Sequence, residues 1–102
     1  VVANVAASQT DSVIKAAVTS AKLAVMQVAV KAGGTATNLT FNSKGAGAGT
    51  AISPLFAMAA NNDLILPYTG KPWFYTNEGE APTVTTGTGA TTGILVRYQS
   101  EP

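Results

Sequence analysis

The chain contains neither cysteine nor histidine, and it is short of charge. Without cysteine there are no disulfides and no thiolate metal sites, so stability has to come from packing or assembly. Without histidine, imidazole acid–base chemistry, serine–histidine triads and imidazole metal ligands are excluded. Charged residues make up 11% of the 102 positions, against about 25% in an ordinary soluble domain. A surface this poor in charge is either coated with Thr, Ser and Asn or covered in an assembly, and the two can coexist. Long apolar runs are missing as well. The longest charge-free stretch, residues 45–62, contains Pro54 and three glycines, whereas a membrane-spanning helix needs about 20 predominantly apolar residues. The apolar first third is interrupted by Asp11, Lys15, Lys22 and Lys31 and lacks the basic start and compact apolar run of a signal peptide. The chain opens at Val1 without Met, which fits a processed or truncated start.

Six basic residues oppose five acidic ones, for a net charge of +1. Lys15, Lys22, Lys31, Lys44, Lys71 and Arg97 are scattered along the chain. Phosphate-backbone binding needs several cations on one surface, so neither nucleic acid nor membrane is expected as a partner. A length of 102 residues allows one domain with a real but modest core.

What is present is mostly β-like. Residues 1–9, VVANVAASQ, carry little periodicity and read as a loose N-terminal arm preceding a single domain at 10–102. Residues 10–32 admit two readings. Ile14, Ala17, Val18, Ala21, Val25 and Val28 fall at helical spacing. Alternatively, residues 12–19 and 23–31 form two strands, the second rich in β-branched residues and followed by the turn signal Gly33-Gly34. The strand reading is preferred because every later segment is β-like and mixing classes would need a special reason. Residues 35–42 alternate, with Thr37, Leu39 and Phe41 on one side. Pro54 confines the apolar segment 51–59 to an edge or a bulge. Further strands are expected at LILPY, at 73–76, at 83–88 and at 94–99, where Ile94, Val96 and Tyr98 oppose Leu95, Arg97 and Gln99. Seven or eight short strands at this spacing predict an all-β antiparallel sandwich of jelly-roll type.

Few residues offer chemistry. The glycine-rich SKGAGAGT places Lys44 before its glycines, whereas a phosphate-binding loop needs Gly-Lys-Ser/Thr opening a helix. Glu78 and Glu80 are two residues apart and could share a strand face, but they sit in the turn-like NEGEAP with no second acidic cluster. Oxygen-only cation binding by Asp63, Glu78, Glu80 and nearby Asn side chains matches no known calcium loop. Asn38-Leu39-Thr40 matches the glycosylation triplet but falls in an expected strand. The chain therefore reads as non-enzymatic, with no cofactor and no metal.

The most informative block is NNDLILPYTGKPWFYTNEGE, residues 61–80. Four of the seven aromatics, Tyr68, Trp73, Phe74 and Tyr75, fall within eight residues there, framed by Pro67, Pro72, Gly70 and Gly79. On a strand, Trp73 and Tyr75 share one face and Phe74 takes the other. One face is then core, while the other meets solvent, a neighbouring subunit or a glycan.

Leu66-Pro67-Tyr68, Gly70, Trp73-Phe74, Gly79-Glu80-Ala81 and Val96-Arg97-Tyr98 occur in an order that resembles small β-sandwich structural proteins of tailed bacteriophages. The resemblance spans residues 12–99 and carries no catalytic signature. It implies a virion component, a capsid decoration (cement) protein on the outer capsid surface. Its partners would be the major capsid protein and further copies of itself, with a trimer favoured. The long SKGAGAGT loop and the Ala-rich start depart from the pattern. Val1, Val2 and Val5 in the arm, with Tyr68, Trp73, Phe74 and Tyr75, are the candidate interface residues. The alternative is a receptor- or glycan-binding module of a tail fibre or adhesin.

Overall fold

The computed structural model describes residues 2–89 and 91–101. They form two antiparallel sheets packed face to face, with no helix among the described residues. Ten strands run in chain order: β1 (Val2–Val5), β2 (Ser12–Val13), β3 (Lys22–Lys31), β4 (Thr37–Lys44), β5 (Thr50–Ala51), β6 (Phe56–Met58), β7 (Asp63–Leu66), β8 (Phe74–Tyr75), β9 (Ala81–Thr86) and β10 (Thr92–Glu101). The first sheet has the order β1-β10-β3-β7, with β8 also on β3. The second has the order β2-β9-β4-β5, with β6 also on β4.

The expected seven or eight strands become ten because each sheet has one broken edge. β5 and β6 occupy two stretches of the same side of β4, and Ser53-Pro54 bulges out between them. Proline has no N–H for a ladder, so the chain leaves the edge there. The Ser53 hydroxyl fills the gap by accepting from the Phe41 N–H at 2.9 Å. β7 and β8 likewise share one side of β3, separated by the Pro67–Pro72 excursion. Counting each broken edge once leaves eight positions, four per sheet. Their order is compatible with the jelly roll.

β3 explains the Val25–Val28 part of the competing helical pattern. Its pairing with β10 slips between Arg97 and Tyr98, so that Val28 lies opposite Val96 and Val25 opposite Tyr98. A β-bulge adds one residue on one strand and brings positions three apart onto the same face. Val25, Val28 and Val30 therefore all enter the core. The Val25–Val28 spacing imitates a helix but arises from the bulge. The first of the two expected strands, at 12–19, is reduced to the two residues of β2.

The loose arm is corrected. Val2–Val5 is the edge strand β1, paired with the start of β10 from Val2↔Leu95 to Val5↔Thr92. Beyond it the Ser8 N–H donates to the Gly87 carbonyl and the Thr86 N–H to the Gln9 carbonyl, both at 2.8 Å. The Thr86 hydroxyl also donates to the Ala6 carbonyl at 2.8 Å. Residues 2–9 thus belong to the sandwich.

The core fills the space between the sheets. Val25, Val28 and Val30 on β3 and Ile94 and Val96 on β10 meet Leu39 and Phe41 on β4 and Val84 on β9. Phe41 lies at the centre, its ring 5.1 Å from that of Phe74 and 6.4 Å from that of Phe56, the latter edge-to-face. Fully burying a side chain of this size contributes roughly 2–3 kcal/mol.

Candidate contact surface

The two sheets treat their outer faces differently. On the second sheet, Thr83 and Thr85 on β9 and Asn42 on β4 point away from the core, and Asp11 folds over them. Asp11 accepts from the Thr83 hydroxyl at 3.1 Å and from the Gly49 N–H at 3.0 Å. The Thr85 hydroxyl oxygen accepts from the Asn42 side-chain amide at 2.8 Å and from the Asp11 N–H at 3.1 Å. This face uses much of its polarity within the molecule.

The outer face of the first sheet carries apolar side chains into solvent. The ladder registers align Val2, Leu95, Ala29 and Ile65 in one row across β1, β10, β3 and β7. Val2, Leu95 and Ile65 are 74%, 50% and 58% exposed. The next row holds Asn4, Gly93, Lys31 and Asp63. Ala29 and Gly93, having little side chain, leave a groove of about 390 Å³ between the taller residues. Lys31 and Asp63 pair at 3.2 Å on its rim.

Further along the same face lies the aromatic block. The Trp73 N–H donates to the Val25 carbonyl at 2.9 Å, which fixes the chain to β3 just before β8. The Trp73 indole N–H donates to the Pro67 carbonyl at 2.8 Å and closes the excursion between β7 and β8. Gly70 turns that loop at φ +87°, a left-handed conformation that glycine adopts without strain. The loop carries Tyr68 back over the sheet, where the Arg97 guanidinium lies 4.3 Å from its ring centroid. Lys22 approaches the Tyr75 ring at 5.9 Å. Such cation–π contacts contribute about 0.5–1 kcal/mol each at exposed sites. Tyr68, Trp73 and Tyr75 are exposed yet held in place.

The seven candidate interface residues divide accordingly. Val2, Tyr68, Trp73 and Tyr75 are exposed on or beside this face. Phe74 turns inward against Phe41, as strand alternation predicts. Val5 is buried in the core as well, because it faces inward opposite Thr92 on β10. Val1 lies outside the described residues. Ile65 and Leu95 complete the apolar row but were not among the candidates. Their signal was present: Leu95 is an apolar residue in the phase of its strand otherwise taken by Arg97 and Gln99.

The carboxylates do not converge. Glu80 is half-buried and accepts from the Ser43 hydroxyl at 2.6 Å and the Asn77 side-chain amide at 3.1 Å, pinning the turn before β9 to β4. Glu78 is exposed in that turn, so the two glutamates do not share a strand face. Asp63 pairs with Lys31 on the groove rim of the other sheet. Among the described residues no three acidic side chains gather where they could hold a metal ion. In the glycine-rich loop, the Lys44 ammonium donates to the Gly47 carbonyl at 2.6 Å and closes the loop on itself.

Comparison of the chain with protein-family models, with curated proteins and with solved structures returns no match.

Proposed function

We propose that this chain is a non-enzymatic bacteriophage virion protein, a capsid decoration protein that sits on the outer capsid surface and bridges neighbouring major capsid subunits. The observation that carries the reading is the outer face of the first sheet, which presents Tyr68, Trp73 and Tyr75 on a fixed support beside an apolar row. Interface energy concentrates in Trp, Tyr and Arg. A contact loop that is already ordered loses little freedom on binding. The low charge of the chain supports the same reading, since a decorating subunit covers much of its surface. Its action is mechanical. A modest contact repeated over a shell, by subunits that also associate with one another, becomes a firm clamp through multivalency.

Cryo-electron microscopy of virions from the phage that encodes the chain tests this directly. The expected result is density for the sandwich on the outer shell, with the Tyr68–Tyr75 side against the capsid protein. Location inside the tail tube, or absence from the particle, overturns it. In co-sedimentation with purified capsids, Tyr75→Ala should reduce the bound fraction at least tenfold while leaving circular dichroism unchanged.

The same three exposed aromatics support a second reading, a glycan-binding module of a tail fibre or adhesin. Glycans stack on exposed aromatic rings, and a glycan array read with the intact chain separates the two. Hits that disappear in Tyr68→Ala and Tyr75→Ala would favour the glycan reading, and an array without hits removes it.

A further inference from the structure

The groove end of the first sheet is complementary to itself, and we infer that a second copy of this chain packs on it face to face. The rows supply the argument. In the order β1, β10, β3, β7 they read Val2, Leu95, Ala29, Ile65 and then Asn4, Gly93, Lys31, Asp63. A two-fold axis running between β10 and β3, parallel to the strands, reverses that order in the facing copy. Leu95 then stands over Ala29 of the second copy, a large side chain over a small one. Val2 meets Ile65 of the second copy, and the Lys31 stem lies over Gly93. Asn4, whose amide can donate, faces the Asp63 carboxylate. Every tall residue meets a short or compatible one, and each contact occurs twice, as an isologous interface requires.

Charge points to the same occupant. Lys31 and Asp63 neutralise each other on the rim, so two copies approach without repulsion and no strongly charged partner is called for. A second sheet also matches the spacing, because its strands repeat at the same interval of about 4.8 Å. The other side of the sandwich offers no such match, since Asp11, Thr83, Thr85 and Asn42 already bond to one another.

The size of the patch sets the strength. Four strands by four residues give a footprint of about 19 by 13 Å. The Tyr68–Arg97 stack stands on the sheet beyond it and bounds it there. Such a contact falls below the roughly 1,200 Å² of standard stable interfaces. The pair therefore forms only at high concentration. The inference deepens the self-association expected of the chain, with a dimer in place of the trimer that the sequence resemblance favours. It does not depend on the capsid reading and competes with it for the face, because an axis parallel to the strands sets the aromatic end of one copy opposite that of the other.

Sedimentation equilibrium of the intact chain from about 1 µM to about 1 mM should show the mass rising from 10.3 kDa toward twice that value. Leu95→Arg should remain monomeric throughout with an unchanged melting temperature, and Tyr75→Ala should dimerise like the parent chain. The symmetry is tested by cross-linking. Stacked sheets lie about 10 Å apart, beyond disulfide reach, so a short bis-maleimide is used. A mixture of Val2→Cys and Ile65→Cys chains should cross-link, and neither variant alone should. A monomer at every concentration, a trimer mass, or efficient cross-linking of Val2→Cys alone, the mark of β1-to-β1 edge pairing, overturns the proposal.

Discussion

One outer face of this sandwich closes itself and the other is left open. At the middle of the second sheet the outward side chains of β4 and β9, Asn42, Thr83 and Thr85, bond to one another and to Asp11 folded over them, with the exposed Val13 at the β2 edge. On the first sheet the outward phase holds Val2, Leu95 and Ile65. Polar groups can be satisfied locally by hydrogen bonds. Apolar groups are satisfied only by another surface. The two faces therefore report on different things, stability on one side and, as we propose, association on the other. The aromatic block falls on the open side, which is why its exposed members are more informative than its buried one.

Substitutions can break or sharpen that contrast. The largest effect belongs to the layer both sheets share. Phe41→Ala should cost about 3–5 kcal/mol and weaken both faces together, read as a lower urea midpoint. Next comes the closed face. Asp11→Ala strands the Gly49 N–H and the Thr83 hydroxyl, and should cost about 2 kcal/mol of unfolding free energy with no change in association. Smaller and opposite in sign is Thr92→Val. The Thr92 hydroxyl is buried without a hydrogen-bond partner, so a nearly isosteric methyl should stabilise the fold by about 1 kcal/mol, visible as a raised melting temperature. The smallest effect on stability belongs to the open face. Ile65→Ser should shift the unfolding free energy by no more than about 0.5 kcal/mol while reducing the concentration dependence of mass. If Ile65→Ser instead destabilised the fold as much as Asp11→Ala, the distinction between the two faces would be lost.

Much of the first-order architecture was legible in the residues. The alternation in Thr37, Leu39 and Phe41 placed β4 and its buried face correctly. Pro54 marked the break between β5 and β6. Trp73, Phe74 and Tyr75 split between faces as alternation requires. What was not legible depended on partners far away in the chain. Val2–Val5 has weak periodicity of its own and becomes a strand only because β10 lies beside it. The two residues of β2 are defined by β9 in the same way. The bulge in β3 placed Val25 and Val28 at a spacing that local pattern reads as helical. For the contact surface, the exposed aromatics could be named from sequence. The apolar row could not, because a row is a property of register across four strands, and register follows from how the sheet assembles.

That assembly has an order in time. β10, the last of the ten strands among the described residues, sits between β1 and β3 and joins residues some ninety positions apart. β4, β5, β6 and β9 can pair as they are synthesised, but the first sheet has no centre until residues 92–101 arrive. Until then one edge of β3, a strand rich in valine, stays unpaired, and the core lacks Ile94 and Val96. Pairings this distant in sequence form slowly, and the unpaired edge is prone to aggregate while it waits. The chain should therefore fold late and all at once, and its yield in the cell should respond to chaperone supply more than its final stability suggests.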